Sequence, residues 1–471
     1  MIHIPVADAP APHVAHARLA ARSPTSFILE SREGPERLAR YSFVGWDPAA
    51  VVRCDADGLH VSGALPAPSR DQDPLTYLRR VLAFYHTDDH EAPFVGGLVG
   101  SVGYDFVRTV EPTLDDGTPE AWPRFVFGLY LDGLVYDHQE GTCTYISRGE
   151  DRSAALQAAI GQDAPPAPLA VGPLTASTDQ EAFEKQVRGA QGLIRQGEAF
   201  QIVLSRRYEA SFGGDLGRCY DWLRENAAVP YLFHLRFAAH GDDEEPLTLL
   251  GASPETLVRV RRGTARTFPI AGTRPVTGDE AKDDAAAEDL LADPKETAEH
   301  AMLVDLARND LGRVSAPGTV KVASLMEIQR FRHVQHIVSD VEGRLAPGQD
   351  ALDALAAVFP AGTVSGAPKV RAMEHIAALE RHAELPRGPY AGAAAYASFN
   401  GDFDSCIAIR SLSAVGSRLA IQAGAGIVHH SRPDAEFHET RHKAATLLEA
   451  VQRFGATLPE AEQPPAQEAT A

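Results

Sequence analysis

Signals that begin and end a helix flank the segment Asp293-Pro-Lys-Glu-Thr-Ala-Glu-His-Ala-Met-Leu-Val-Asp-Leu-Ala-Arg-Asn-Asp-Leu-Gly-Arg313. Its first residue suits the N-cap position, and the proline that follows suits the first helical position. The glycine at 312 is a natural stop, so the interior is one predicted helix. Glu296 and Glu299 lie three residues apart on one face of it, where two carboxylates repel each other unless a cation or solvent lies between them.

A second pair of glutamates with the same spacing, Glu436 and Glu439, stands near the C-terminus. Two such pairs, contributed by two helices, would form an oxygen-rich cage for a divalent ion, and Mg²⁺ is the ion that suits it best. Solvated glutamate pairs on helix surfaces are far commoner than metal sites, so this spacing alone is weak support for a metal.

Length and composition indicate a soluble globular protein of two or three structural units, with 471 residues of which 44% are hydrophobic and 23% charged. The net charge of −20 argues against a nucleic-acid partner, because phosphates would be repelled. The four cysteines are scattered, and no apolar run is long enough to span a membrane. We therefore expect a cytoplasmic protein with reduced thiols and no membrane contact.

Short apolar runs separated by turn residues outnumber helical patterns, which favours an α+β fold with large, mostly antiparallel sheets. The stretch 158–173 is rich in Ala, Pro and Gly and is the best linker in the chain. We predict a first domain at 1–165, a linker at 166–178, a second domain at 179–454 and a disordered tail at 455–471.

Further motifs follow one another over most of the chain. Together with the segment 293–313 they are Pro269-Ile-Ala-Gly-Thr-Arg-Pro275, Phe359-Pro-Ala-Gly-Thr-Val-Ser-Gly-Ala-Pro-Lys369, Asp404-Ser-Cys-Ile-Ala-Ile-Arg410 and Gln422-Ala-Gly-Ala-Gly-Ile-Val428. With them the chain resembles the chorismate-utilising enzymes, and among these most closely component I of anthranilate synthase. The resemblance covers residues 20–453. It implies a sandwich of two sheets with helices outside, and a magnesium-dependent lyase that makes anthranilate and pyruvate for tryptophan biosynthesis. It also implies that the domain at 1–165 is an N-terminal regulatory and subunit-contact domain and that the domain at 179–454 is a catalytic domain that binds chorismate.

The resemblance assigns the carboxylates and the substrate contacts. Glu299 and Glu439 would bind Mg²⁺ directly, with Glu296 and Glu436 acting through its waters, and the ion would hold the ring carboxylate of chorismate. The cation would reverse the local field that an acidic protein presents to a dianion. The positions that match the family's donors to the other carboxylate are Tyr396, Arg410, Lys443 and the backbone at Gly424, Ala425 and Gly426.

The resemblance also assigns the groups that move protons. Glu255 matches the general acid that protonates the departing 4-hydroxyl, which requires a carboxyl group with a raised pKa. His336 matches a histidine that assists loss of the hydroxyl or the later removal of a proton. His333 is chemically as suitable, and only the match to the family separates the two histidines. Thr363, in the glycine-rich motif, also belongs to the predicted catalytic set, as do Gln201 and Ala271.

Gln201 and Ala271 distinguish between members of the family. Members that add water carry at position 201 a lysine that acts as general base, whereas an amide deprotonates nothing. Many aminodeoxychorismate synthases carry at position 271 a lysine that forms a covalent adduct at C2. Ammonia needs no base, and with alanine at 271 it would attack C2 directly. Some aminodeoxychorismate synthases lack this lysine, so the second criterion is the weaker one.

The source of ammonia and the control of activity both imply other molecules. None of the four cysteines lies in a Gly-x-Cys-x-Gly elbow, so a separate glutamine amidotransferase subunit, component II, is expected in a hetero-oligomer. Enzymes of this type are usually inhibited by L-tryptophan, which the resemblance assigns to Glu30, Ser31, Pro230 and Tyr231. Val229 stands where the family has a serine, so inhibition is expected with an altered loop.

Three alternatives stay open at this point. Component I of aminodeoxychorismate synthase is the first, and an enzyme that stops at the aminodeoxyisochorismate intermediate is the second. The third belongs to another class, a non-catalytic regulatory protein that binds an amino acid. Retention of the general acid, the histidine and both glutamate pairs argues against the third, because a pure binder needs no general acid.

Overall fold

The computed structural model describes residues 2–31, 40–115, 117–165, 167–239, 244–381 and 387–459. Its helices are α1 (Pro12–Ala20), α2 (Pro74–Phe84), α3 (Val107–Val110), α4 (Ser153–Ile160), α5 (Gln180–Arg195), α6 (Gly217–Asn226), α7 (Glu280–Ala292), α8 (Pro294–Gly312), α9 (Ala351–Val358), α10 (Lys369–Arg381) and α11 (Pro433–Gln452). Among the described residues, no helix combines the length and apolarity that a membrane crossing requires.

The strands are short and alternate with turns. They are β1 (Ile2–Pro5), β2 (Ser26–Glu30), β3 (Tyr41–Trp46), β4 (Ala50–Asp55), β5 (Gly58–Gly63), β6 (Gly97–Val102), β7 (Phe125–Tyr130), β8 (Asp132–Asp137), β9 (Thr142–Ser147), β10 (Leu169–Val171), β11 (Thr175–Ala176), β12 (Gln201–Gly214), β13 (Tyr231–Phe237), β14 (Leu247–Ser253), β15 (Thr256–Arg261), β16 (Thr264–Thr267), β17 (Ile270–Pro275), β18 (Lys321–Arg330), β19 (Val334–Arg344), β20 (Gly366–Ala367), β21 (Ala393–Ser398), β22 (Phe403–Ile407), β23 (Ser411–Val415) and β24 (Arg418–Ile427).

Two antiparallel sheets contain these strands. The first sheet runs in the order β1-β9-β8-β3-β2-β13-β14-β23-β24-β12-β10, with β11 and β20 also paired to β12. The second sheet runs β17-β19-β16-β15-β22-β21-β6-β7-β4-β5, with β18 paired to β19. The predicted α+β fold with large antiparallel sheets is therefore confirmed.

One apolar layer lies between the sheets and two more lie outside them. Phe27 and Phe233 of the first sheet belong to the same buried cluster as Val99 and Tyr130 of the second, and the rings of Phe27 and Tyr130 are 4.6 Å apart. Alternate residues of β2 point the other way, so Ile28 packs in the cluster that α1, α4, α6 and α11 cover. Helices α8 and α9 cover the second sheet. This is the predicted sandwich with helices outside.

Each sheet joins strands from both ends of the chain. In the first, β2 pairs with β13, and in the second, β6 pairs with β21. The stretch predicted as a linker contains β10 and β11, which pair with β12. The boundary at 166–178 therefore does not separate two sheets or two cores, although it stays a prediction for function. The predicted tail beyond residue 459 lies outside the described residues.

Helix α8 has the predicted bounds and brings the first glutamate pair to the second sheet. The side chain of Asp293 accepts hydrogen bonds from the backbone N–H groups of Lys295 and Glu296, at 2.9 and 3.3 Å. Pro294 occupies the first turn, where its missing N–H is not needed. The helix packs on β17 and β19, the strands that carry Ala271 and His336.

Candidate active site

The candidate site is a network of contacting residues that begins at the glycines of β24. Gly424 and Gly426 lie opposite Ser205 and Val203 of β12. A Cβ atom on Gly426 would come within 2.4 Å of the Gln201 side-chain nitrogen, and one on Gly424 within 2.4 Å of the Tyr390 hydroxyl. These glycines therefore allow polar side chains to approach the strand backbone closely.

The ammonium group of Lys443 connects this strand to the carboxylates. It donates to the backbone oxygen of Gly424 at 3.1 Å and forms an ion pair with Glu439 Oε1, one helical turn earlier in α11, at 2.7 Å. Its positive charge also opposes the rise in the pKa of Glu255 and of Glu299. The predicted substrate contacts at 424–426 and 443 thus adjoin both the predicted acid and the predicted metal ligands.

Glu255 has the properties of a general acid. It lies between β14 and β15, and burial raises its pKa from 4.5 to about 7 against the opposing effects of Thr363 and Lys443. Thr363 Oγ1 donates a hydrogen bond of 2.9 Å to Glu255 Oε1. A carboxyl group with a pKa near neutrality can hold a proton and release it at the pH of the cell. The structure therefore brings Thr363 to the acid.

His336 is oriented as a neutral base. Its Nδ1 lies 2.8 Å from the carbonyl oxygen of Gly272, which only accepts, so Nδ1 carries the proton and Nε2 the lone pair. Burial lowers the pKa of His336, the bond to Gly272 opposes that, and Arg410 adds to the lowering. His333 is exposed in the turn between β18 and β19, where it is not part of this network.

Neither discriminating position carries an amine. Ala271 is buried in β17 and pairs with Ile337, the neighbour of His336. Gln201 is buried at the start of β12 with its amide over Gly426. Neither side chain can therefore deprotonate water or form a covalent adduct.

The four glutamates of α8 and α11 influence one another electrostatically. Burial raises the pKa of Glu299, and the charges of Glu296 and Glu439 raise it further. Burial likewise raises the pKa of Glu436, and Glu439 adds to that rise. Repulsion among neighbouring carboxylates is what a bound cation relieves.

The residues present fit a hard divalent cation. Glu436 Oε2 is buried without a hydrogen-bond partner among the described residues, and all four side chains offer the oxygen ligands that Mg²⁺ prefers. In the described chain no three of these carboxylates have oxygens within 4.8 Å of one another, and the ion pair with Lys443 offsets part of the charge of Glu439.

Arg410 and Tyr390 form the opposite side of the site. Arg410 has a φ of +50°, an uncommon backbone conformation at which strain collects in functional sites, and burial lowers the pKa of its guanidinium. Tyr390 and Glu439 are the charged or titratable neighbours that oppose this lowering. We did not predict Tyr390 from the sequence, and its only signal is its position just before β21 in the stretch that leads to Arg410.

Tyr396, predicted to bind substrate, lies elsewhere. Its hydroxyl is 2.6 Å from Arg261 Nη2, and its ring packs in the layer between the sheets. It lines a second cavity of about 660 Å³ together with Ser31 and Tyr231, two of the predicted inhibitor contacts. The structure therefore separates Tyr396 from Arg410 and Gly424. Tyr390 occupies the position that we expected for Tyr396.

The remaining inhibitor positions differ in what they can offer a ligand. Tyr231 donates to Asp404 at 3.1 Å and receives a bond from Arg259 at 3.1 Å at the wall of the second cavity. Glu30 also borders this cavity, but its buried carboxylate accepts hydrogen bonds from Tyr220 and Arg224 of α6. Glu30 therefore holds α6 against β2. Pro230 is buried beside Tyr231.

Known proteins are similar to this chain in sequence and in fold. The family described as chorismate binding enzyme matches residues 24–449. The chain is 44% identical to anthranilate synthase component 1 of Methanothermobacter marburgensis over 92% of this chain and 90% of the relative, and 40% identical to that of Streptomyces coelicolor over 95% and 87%. The crystal structure of anthranilate synthase component I from Streptococcus pneumoniae superposes with a TM-score of 0.74 at 37% identity, covering 87% of this chain and 92% of that one. The chain therefore belongs to the chorismate-binding enzyme family.

Proposed function

We propose that the chain catalyses the component I reaction of anthranilate synthase, in which chorismate and ammonia give anthranilate, pyruvate and water. One observation carries the proposal: an acid, Glu255, and a neutral base, His336, are linked electrostatically through Lys443, Glu439 and Arg410. The discriminating positions of this network hold Gln201 and Ala271. The network supplies proton transfer but neither a base for water nor a covalent amine.

In the first step ammonia attacks C2 of chorismate, both ring double bonds shift, from C1=C2 to C1=C6 and from C5=C6 to C4=C5, and the C4–O bond breaks. Glu255 gives its proton to the departing hydroxyl, which leaves as water, and Thr363 stabilises the resulting carboxylate. The ammonium group formed at C2 loses one proton. The amide of Gln201 can accept a hydrogen bond from ammonia, which needs no deprotonation because its lone pair is already available.

In the second step the aminodeoxyisochorismate intermediate loses pyruvate. Removal of the C2 proton and cleavage of the bond from C3 to the enolpyruvyl oxygen make the ring aromatic, and the enol takes up a proton to give pyruvate. The lone pair on His336 Nε2 suits removal of the C2 proton, since Nδ1 is held by Gly272. This use of His336 agrees better with its neutral form than assistance to the leaving hydroxyl does.

Binding of a dianion in an acidic protein is the role we propose for Mg²⁺. Glu299 and Glu439, with Glu296 and Glu436, would hold the ion, which when bound supplies positive charge to the ring carboxylate of chorismate. Arg410 and Lys443, with the backbone at 424–426, would bind the carboxylate of the enolpyruvyl group. Tyr390 would contribute its hydroxyl in the position first expected for Tyr396.

Two further partners belong to the proposal. A glutamine amidotransferase subunit, component II, would supply ammonia in a hetero-oligomer, as the component 1 naming of the relatives suggests. L-tryptophan would inhibit from the second cavity, where Ser31 and Tyr231 are supported as contacts by their place in its wall. The cellular site of the reaction would be the cytoplasm.

One assay tests the reaction. The protein is incubated with chorismate, Mg²⁺ and ammonium at mildly alkaline pH, and products are identified by fluorescence and mass. Anthranilate with an equal amount of pyruvate is expected. Aminodeoxychorismate without pyruvate would instead indicate the folate-pathway reaction, accumulation of aminodeoxyisochorismate would indicate an enzyme that stops early, and no turnover would favour a non-catalytic binder.

A further inference from the structure

A fully buried ion pair lies behind the site, and neither of its residues has a role in the function proposed above. Glu380, at the end of α10, and Arg387 are 3% and 4% exposed. Arg387 donates to both carboxylate oxygens of Glu380, from Nε and from Nη2, and both bonds are 2.8 Å long. Removing one partner of such a pair leaves a buried charge uncompensated, so the two side chains act as a unit.

The remaining hydrogen bonds of this pair end on backbone that borders the site. Arg387 Nη1 donates to the carbonyl oxygen of Val364 at 2.7 Å, and Nη2 donates to that of Val203 at 2.8 Å. Val364 follows Thr363, the hydrogen-bond partner of Glu255. Val203 lies opposite Gly426 in the β12–β24 register, two residues after Gln201. Two walls of the site are therefore attached to one guanidinium.

The same pair reaches two more parts of the site. Glu380 Oε1 accepts from both the backbone N–H and the hydroxyl of Ser205, at 2.9 and 2.8 Å, and Ser205 lies opposite Gly424. The backbone oxygen of Arg387 accepts from the N–H of Tyr390 at 3.0 Å, and its guanidinium lies 5.7 Å from the Tyr390 ring. The pair thus connects the acid's partner, the glycine strand and Tyr390.

We propose that Glu380 and Arg387 are positioning residues for this reaction: their buried ion pair fixes the Thr363 loop relative to β12 and thereby sets the hydrogen bond from Thr363 to Glu255. The proposal rests on the proposed function. Arginine is required because its planar fork binds the carboxylate in two places and still has donors for both carbonyl groups. A lysine keeps the charge but offers no such planar arrangement.

The test compares wild-type protein with Arg387→Lys and Glu380→Gln, and with Arg371→Gln as a matched control. Arg371 lies on the same helix but forms its ion pairs with Glu198 and Glu374 at the surface. Chorismate consumption is measured at saturating ammonium and Mg²⁺ over a pH series, per mole of folded protein. Hydrogen exchange of peptides 201–207 and 359–369 is measured on the same samples.

In Arg387→Lys we expect kcat to fall about 100-fold with KM for chorismate changed less than about threefold, because a displacement near 1 Å at the acid has effects of that size. The alkaline limb of its pH profile should move upward, as we also expect when the Thr363 hydroxyl is removed. Exchange should rise in 201–207 and 359–369 before it rises elsewhere. Glu380→Gln should show the same changes to a smaller extent, and Arg371→Gln none of them.

The opposite results would overturn the proposal. A purely structural pair would lower only the folded fraction, with kcat per folded protein and the pH limb unchanged and exchange raised evenly over the chain. If Arg387→Lys does not fold, the isosteric Glu380→Gln and the milder Ser205→Ala carry the same comparison. A wild-type protein that makes no anthranilate would overturn the proposed function, whereas the exchange result still decides whether the pair holds these two segments.

Discussion

At the scale of single residues, the proposed reaction depends on the carboxyl group of Glu255, which is difficult to ionise because it is buried. Glu255 is set between two strands of different sheets, and burial raises its pKa to about 7. Its position after Ser-Pro predicts the role by resemblance, but the burial that makes the role possible arises from packing that no local pattern contains. Tyr390 and Tyr396 illustrate the same limit, because both precede Arg410 in the chain and only the folded strand distinguishes their surroundings.

Thr363→Val should shift the pH dependence of the reaction. The threonine hydroxyl donates to Glu255 and lowers its pKa, so loss of this bond raises the pKa above its value of about 7. The protonated acid then persists to higher pH, and the alkaline limb of kcat should move up by about one pH unit. Steady-state kinetics over a pH series measures this. Thr175→Val, at an exposed position, is the control and should leave the limb unchanged. An unchanged alkaline limb in Thr363→Val would contradict the role of Thr363.

Glu255→Gln should abolish turnover and stabilise the fold at alkaline pH. The folded-state pKa lies above the unfolded value of 4.5, so the wild-type carboxylate destabilises the fold above pH 7 and has no such effect below pH 4.5. The amide variant should gain up to about 3 kcal/mol over wild type at pH 8 and nothing near pH 4.5. Denaturant unfolding at the two pH values measures the difference. Equal stabilities at pH 8 would argue against a buried acid.

At the scale of elements, a helix is predictable where cap signals flank a long segment, as they flank α8, whereas the short apolar helix α9 is missed although Asp350 caps it. The N-cap, proline and glycine signals give the bounds of α8, which the structure reproduces. Helices α1, α4, α6, α9 and α10 were not predicted. Helix α9 is eight residues long and largely buried, and such a short apolar run does not differ in periodicity from a buried strand. His336 lies on the strand β19.

Glu439→Gln tests whether α8 and α11 together hold a cation. We expect the variant to lose nearly all activity, because one of the four carboxylate charges is removed. Its circular dichroism should stay that of wild type, because the Glu439 side chain is half-exposed. Mg²⁺ should raise the Tm of wild-type protein and leave that of the variant unchanged. Glu449→Gln, on an exposed position of the same helix, is the matched control. Near-normal turnover of Glu439→Gln would refute the metal assignment.

At the scale of the whole molecule, the sequence predicts the fold class but not the way its two halves combine. Strand character can be derived from local alternation, whereas the partner of a strand depends on residues far away in the chain. The pairing of β2 with β13 brings Ser31 near Tyr231, and so builds the second cavity from both predicted domains. Strands from both predicted domains therefore share each sheet, and the division into a regulatory and a catalytic domain stays a prediction.

Tryptophan should bind in the second cavity and inhibit from there. Calorimetric titration of wild-type protein should give saturable heat, and the same concentrations should reduce anthranilate formation. Ser31→Leu should weaken binding at least about tenfold, since it places an apolar group on the polar wall of the cavity, whereas the exposed Ser69→Leu should not. Absence of binding at millimolar tryptophan would remove this part of the proposal.

The mixed origin of the strands also governs how this chain is made. During synthesis, β6 emerges from the ribosome almost 300 residues before its partner β21. Until that partner arrives, β6 and β2 each lack one neighbour and offer unpaired backbone groups to other nascent chains. A fragment ending near residue 165 keeps that exposure permanently. The first third of this protein should therefore aggregate when expressed alone, and its productive folding should wait for the last strands.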